Sequence, residues 1–220
     1  MTGLTPGGMA TVFGRNLTVN VCGFLVAATL PLPTQLGGVS VLVNGTPAPM
    51  FSILNIGGTE QVSFQAPFEV SGANATVVIN NGRTASGEIQ GPVVAALPGV
   101  FVFGGDNAVA VRAADNSLIT LNNPAAGGET VVLYVTGLGA VNPLVPTGAA
   151  TPSDQLRHAA VQPTVTVGGV EAPVAFAGLT PGFVGLYQIN FVVPPGVSGL
   201  AELVVRSGAL SSRTAKLAVR

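Results

Sequence analysis

The residues PGFVGLYQINFVVPPGV, 181–197, most constrain what this chain can fold into. Tyr187, Ile189, Phe191 and Val193 alternate with Gln188 and Asn190, the period-two pattern of a strand with one face buried and one face wet. A weaker copy, EQVSFQAPFEV, occupies residues 60–70, where Val62, Phe64 and Ala66 oppose Gln61, Ser63 and Gln65. Each copy stops at a proline, Pro67 or Pro194, whose missing N–H and fixed φ end ladder pairing. One strand-rich unit is therefore written twice.

Neighbouring residues extend the repeat. PTVTVGGVEAPV, 163–174, matches VSVLVNGTPAPM, 39–50, so that Gly169 falls on Gly45, Ala172 on Ala48 and Pro173 on Pro49. Gly127-Gly128 matches Gly7-Gly8, and residues 131–136 match the first strand, 9–13. Asn44-Gly45 signals a tight hairpin whose two central residues take positive φ, and Asn81-Gly82 predicts a second, closing onto residues 83–90. An extra hairpin is expected from 108–113 to 117–121 around Asp115-Asn116, and the unbroken apolar run at 131–136 predicts burial on both faces. Residues 16–36 and 138–162 correspond in position but not in composition. With 30 glycines, 17 prolines and few of the charged helix formers, long helices are not expected. The expected fold is all-β: a tandem repeat of two immunoglobulin-like β-sandwiches, residues 1–97 and 98–220, joined near Leu97-Pro98-Gly99, the second with an extra N-terminal hairpin.

Charge then narrows function. Eight basic and nine acidic residues give a net charge of −1, and the single lysine is Lys216. Phosphate backbones and anionic membrane surfaces both require clustered cations, so neither nucleic acid nor electrostatic membrane binding is expected. The longest apolar run, residues 19–30, is interrupted by Asn20 and Gly23 and is too short to span a bilayer, so membrane insertion is not expected either. A weakly charged surface repels its own copies weakly, which favours self-association. One cysteine, Cys22, rules out an intramolecular disulfide. The first residues lack the basic and apolar regions of a signal peptide, and Met1 lies close before the first strand; the chain is expected to be cropped from a longer secreted protein or started internally.

GGMATVFGRNL (7–17), LPLPTQLGGVSVLVNGTPAP (30–49), NNPAAGGETVVLYVTGLGAVNP (122–143) and TVTVGGVEAPVAFAGLTPGFVGLYQINFVVPPGV (164–197) together cover most of the chain. In these phrases it resembles the C-terminal β-sandwich domain that ends many large secreted proteins of acidobacteria. The resemblance implies a pair of sandwiches of the IPT/TIG immunoglobulin-like type in an exported protein, with no established activity and no catalytic residues to transfer. At Val19 to Ala28 the chain is more apolar than the resemblance leads one to expect, and an exposed apolar loop there would be a candidate interface, between copies among others, or the wall of a pocket.

Few groups could carry chemistry. His158 is the only histidine and sits in TPSDQLRHAA, 151–160, with Ser153, Asp154 and Arg157 close by. That loop offers a nucleophile, a base and an orienting carboxylate, or simply a polar connection; a triad is defined by geometry, not by sequence proximity. Cys22 is a second candidate nucleophile, whose apolar neighbours Val21, Phe24 and Leu25 predict a buried, inert thiol. Asp106, Asn107, Asp115 and Asn116 could collect around calcium, but their spacing is not that of a calcium loop and turn-forming roles explain them, so no metal or cofactor is expected. Among the aromatics of the second half, Tyr187 alternates into the core, and Phe183 is the one most open to contact a ligand.

The expected function is that of a non-catalytic module of an exported bacterial protein, secreted or at the cell surface, acting as spacer, adhesion or protein-interaction unit with another protein or a cell-surface polymer as partner. The alternatives are an unusual hydrolase built on Cys22, Ser153, Asp154 and His158, and a glycan-binding module centred on Phe183.

Overall fold

The computed structural model describes residues 3–19 and 21–220. Every regular element among them is a strand, and none is a helix long and apolar enough to cross a membrane. Asn20 and Met1, which the sequence reading invoked, lie outside the described residues.

The chain forms two compact units. The first comprises Met1–Ala95, Leu144–Asp154 and Pro181–Gly185, and the second Ala96–Pro143, Gln155–Thr180 and Leu186–Arg220. Each is an immunoglobulin-like sandwich. In unit 1, one sheet runs in the order Met9–Gly14, Thr59–Gln65, Met50–Ile56, Gly23–Val26. The other runs Gln35–Leu36, Val39–Val43, Asn74–Asn80, Ile89–Pro92, with Thr46–Pro47 also paired to Val39–Val43. Between them lies a core that includes Val41, Met50, Ile53, Val62, Phe64 and Val77, all fully buried.

Unit 2 repeats this plan with additions. Thr130–Thr136, Tyr187–Val192, Val174–Leu179 and His158–Ala159 stand where the four strands of the first sheet stand in unit 1, and Val141–Asn142 adds a further strand beyond His158–Ala159. Thr164–Val167, Gly199–Ser207 and Ala215–Val219 form the centre of the second sheet. Even the irregularities repeat. Register shifts between Met50 and Ser52 in one unit and between Val174 and Phe176 in the other, directly after the matched Ala-Pro pairs. Phe64 pairs with Ala10 and Met50, and Phe191 with Val131 and Val174, which aligns the two copies residue by residue. On this alignment Gly128 (φ +83°) falls on Gly7 (φ +70°), one position away from the match read in the sequence.

The alternation in Tyr187–Val192 holds: Tyr187, Ile189 and Phe191 are fully buried, and Gln188 and Asn190 are half-buried. Several local readings are corrected. The run at 131–136 is buried on one face only, because Val131, Leu133 and Val135 face the core while Val132, Tyr134 and Thr136 remain partly accessible. Ser63 and Gln65, on the face of the first copy expected to be wet, are buried. Residues 181–185 are not part of the strand but a turn counted within unit 1. Asn44-Gly45 has the positive φ angles expected of its hairpin, 48° and 78°. Asn81 does not; its side-chain oxygen instead accepts the N–H groups of Arg83 and Thr84, and the return strand is Ile89–Pro92.

Candidate functional site

Within unit 1, three long-range clasps hold its peripheral segments. Glu60 reaches from the start of its strand to residues 16–18, where its carboxylate accepts the N–H groups of Asn16 (3.0 Å), Leu17 (2.7 Å) and Thr18 (2.9 Å) and the Thr18 hydroxyl (3.0 Å). Partial desolvation raises its pKa, but the bonds from Thr18, Asn16 and Leu17 outweigh that and hold the carboxyl below its ordinary 4.5. Gln65, 1% exposed, accepts the Gly148 N–H at 2.8 Å and donates to the Gly7 carbonyl at 3.3 Å. Thr147 accepts the Phe68 N–H at 2.9 Å and donates its hydroxyl to Glu69 at 2.7 Å. Beside this last clasp Phe68, Glu69, Leu144, Val145 and Pro146 line an open hollow of about 470 Å³. None of the clasps is expected from the sequence, in which Gln65 reads as a residue on the wet face of its strand. The available signal was Glu60 standing where the other copy has Tyr187, a mismatch of chemistry at one position of a repeat.

Cys22 is exposed, not buried, because it stands just before Gly23–Val26, the strand at the edge of its sheet. Ser153 and Asp154 are exposed and belong to unit 1, whereas His158 belongs to unit 2. His158 pairs with Asn142 and with Gly178 in the sheet, and its ring meets Phe176 edge-on at 5.1 Å. Phe183 is 55% exposed; its carbonyl accepts both the N–H and the hydroxyl of Thr151, each at 2.9 Å, while Gly182 donates to the Thr151 carbonyl at 2.8 Å. The aromatic ring is thus displayed on a pinned turn. Asp115 caps its own turn by accepting the Ser117 N–H at 2.9 Å, and its bonds from Ser117 hold its carboxyl below the ordinary range. Asn107 donates to the carbonyls of Phe103 and Gly104. Among the described residues no group of His, Cys, Asp or Glu side chains could hold a metal ion.

No protein-family model and no curated relative matches this chain. Solved structures that it resembles include a Bacteroides ovatus mixed-linkage glucan utilization locus protein, SGBP-B, in complex with a mixed-linkage heptasaccharide. That likeness has 13% identity and a TM-score of 0.37, and it covers 99% of this chain but 43% of that one. Domains 5–6 of the S-layer protein SbsC match at 15% identity and a TM-score of 0.28, covering 100% and 93% of the two chains. The I9–I11 tandem from titin matches at 12% identity and a TM-score of 0.25, covering 99% and 62%. Superpositions this loose carry no substrate, partner or assembly to this chain.

An exposed apolar surface of unit 1 lies on its first sheet. Phe13, Gln61, Leu54 and Phe24 are successive cross-strand partners and so share one face. Phe13 is 68% and Phe24 60% exposed; Val26, two residues on along the same face, is 52% exposed. Leu25 points the other way, toward Ile53 and the core.

Proposed function

We propose that this chain is a non-catalytic pair of immunoglobulin-like sandwiches from an exported bacterial protein, serving in spacing, adhesion or protein interaction. The observation that carries the reading is the apolar face displaying Phe13, Phe24 and Val26, which a chain with a net charge of −1 keeps in water without a strong field around it. Several polar side chains hold the chain in place: Glu60, Gln65, Thr147 and Glu69 in unit 1, and in unit 2 Arg112, which meets Glu129 at 2.6 Å and the Pro124 carbonyl at 2.5 Å. The test is a screen of the purified chain against chromogenic ester, phosphoester, glycoside and lactam substrates. Silence is expected; turnover that disappears in His158→Ala or Cys22→Ser would replace this reading with the hydrolase.

A second reading, glycan binding, is favoured by the display of Phe183 on its pinned turn. Titration with soluble polysaccharides, with Phe183→Ala beside the parent chain, decides it: heat released by the parent and lost in the variant establishes binding there, and no heat from the parent removes it.

A further inference from the structure

We infer that the Gly23–Val26 edge strand of unit 1 is a self-association site, taking the same strand of a second copy of this chain in antiparallel, two-fold pairing.

The unpaired side of the strand can be read from its bonds. Ala27 donates to the Phe51 carbonyl at 2.9 Å. In an antiparallel ladder the backbone groups of alternate residues point to opposite sides, so Gly23, Leu25 and Ala27 face the neighbouring strand while Phe24 and Val26 turn their N–H and C=O outward. No hydrogen-bond partner for Phe24 or Val26 on that outer side lies among the described residues.

The other repeat shows what such a slot accepts. Phe24 pairs with Leu54 and His158 with Gly178; Leu54 and Gly178 are equivalent, so Phe24 corresponds to His158 and Val26 to Ala160. In unit 2 this edge is occupied. Val141–Asn142 lies antiparallel beside His158–Ala159, and Ala160 donates to the Ala140 carbonyl at 2.8 Å. In unit 1 the equivalent of Ala140 is Val19; Val21 there donates to the Thr18 carbonyl at 3.1 Å, and no bond from Val26 to Val19 lies among the described residues.

A second copy suits the vacancy for two reasons. Between Arg15 and Glu60 there is no charged residue, so edge-to-edge approach brings no like charges together, and the strand itself carries none of the lysines, prolines or bulges that keep edges apart. Pairing is also self-complementary: with Leu25 on the two-fold axis, Phe24 of each copy lies opposite Val26 of the other, and every outward backbone group of the strand is satisfied at once. Four residues a side make a small interface, so the dimer is expected to be concentration-dependent.

Sedimentation of the full chain over a concentration series tests this. The parent chain should pass from one chain mass to twice that mass as concentration rises. Val26→Pro removes an N–H that the intramolecular ladder does not use, and Phe24→Lys places a charge at the edge; both should stay at one chain mass while keeping the parent's thermal midpoint. In a Cys22→Ser background, Leu25→Cys should cross-link across the axis under oxidation, whereas the native Cys22 of the parent should not, since this register puts it opposite Ala28. A parent that is monomeric throughout, a dimer that survives both edge variants, or cross-linking through Cys22 would each overturn the proposal. None of these outcomes bears on the substrate screen, so the two readings fail separately.

Discussion

Glu60 and Tyr187 occupy the same position of the two repeats and fasten the same point of the chain with opposite chemistry. Glu60 accepts the Thr18 N–H at 2.9 Å; Tyr187 donates its hydroxyl to the carbonyl of Gly139, the equivalent of Thr18, at 2.5 Å. In both units the start of the central strand is tied to the segment leaving the first strand. One tie is a partly solvated carboxylate drawing in N–H groups and the other a buried phenol reaching a carbonyl, so the two should respond differently to acid and to mutation.

The carboxylate tie should be lost in acid. Its folded-state pKa lies below the unfolded value, so its contribution is fully present above the ordinary 4.5 and fades as pH falls through the folded value. Glu60→Gln should be less stable than the parent at neutral pH, and the gap should narrow below pH 4.5. Urea unfolding midpoints at several pH values measure it; a gap that widens in acid would reverse the sign argued here.

The phenol tie should be insensitive to pH across the neutral range, since burial holds the Tyr187 hydroxyl above its ordinary value. Tyr187→Phe leaves the Gly139 carbonyl without this donor and should cost about 1–2 kcal/mol in denaturant unfolding. A neutral substitution would mean that water replaces the hydroxyl.

Gln65→Ala should cost about 2–4 kcal/mol, because it leaves the Gly148 N–H and the Gly7 carbonyl without their partner at a site 1% exposed. Limited proteolysis gives an independent readout. Cleavage within residues 144–154 should accelerate in the variant before global unfolding sets in.

Phe64 and Phe191, both fully buried, should each lose about 3–5 kcal/mol on truncation to alanine. Differential scanning calorimetry of the two variants should show which transition moves. A loss under about 1 kcal/mol at either would contradict the register that places it in the core.

Two glycines should resist alanine for different reasons. At Gly45 an added Cβ meets open space, so the cost, about 1 kcal/mol, comes from φ at +78° alone. At Gly178 the φ is ordinary, but a Cβ would run into the Arg157 carbonyl oxygen and crowd the Phe176 ring, and overpacking should cost about 1–3 kcal/mol. Thermal midpoints of Gly45→Ala and Gly178→Ala separate them; Gly178→Ala should also disturb the His158–Ala159 pairing, visible in faster amide exchange there.

The all-β class, the repeat, the faces of Tyr187–Val192 and the Asn44-Gly45 turn are legible in the residues alone. Each of these is written in local periodicity or in the φ that a residue tolerates. The fold in three dimensions is what buries Gln65, counts residues 144–154 and 181–185 within unit 1, exposes Cys22 and, among the described residues, pairs a further strand with His158–Ala159 but none with Gly23–Val26. Burial of a polar side chain depends on which distant segment arrives to meet it, as Gly148 meets Gln65 across 83 positions. Coverage of an edge depends on which segment lies beside it, as Val141–Asn142 lies beside His158–Ala159.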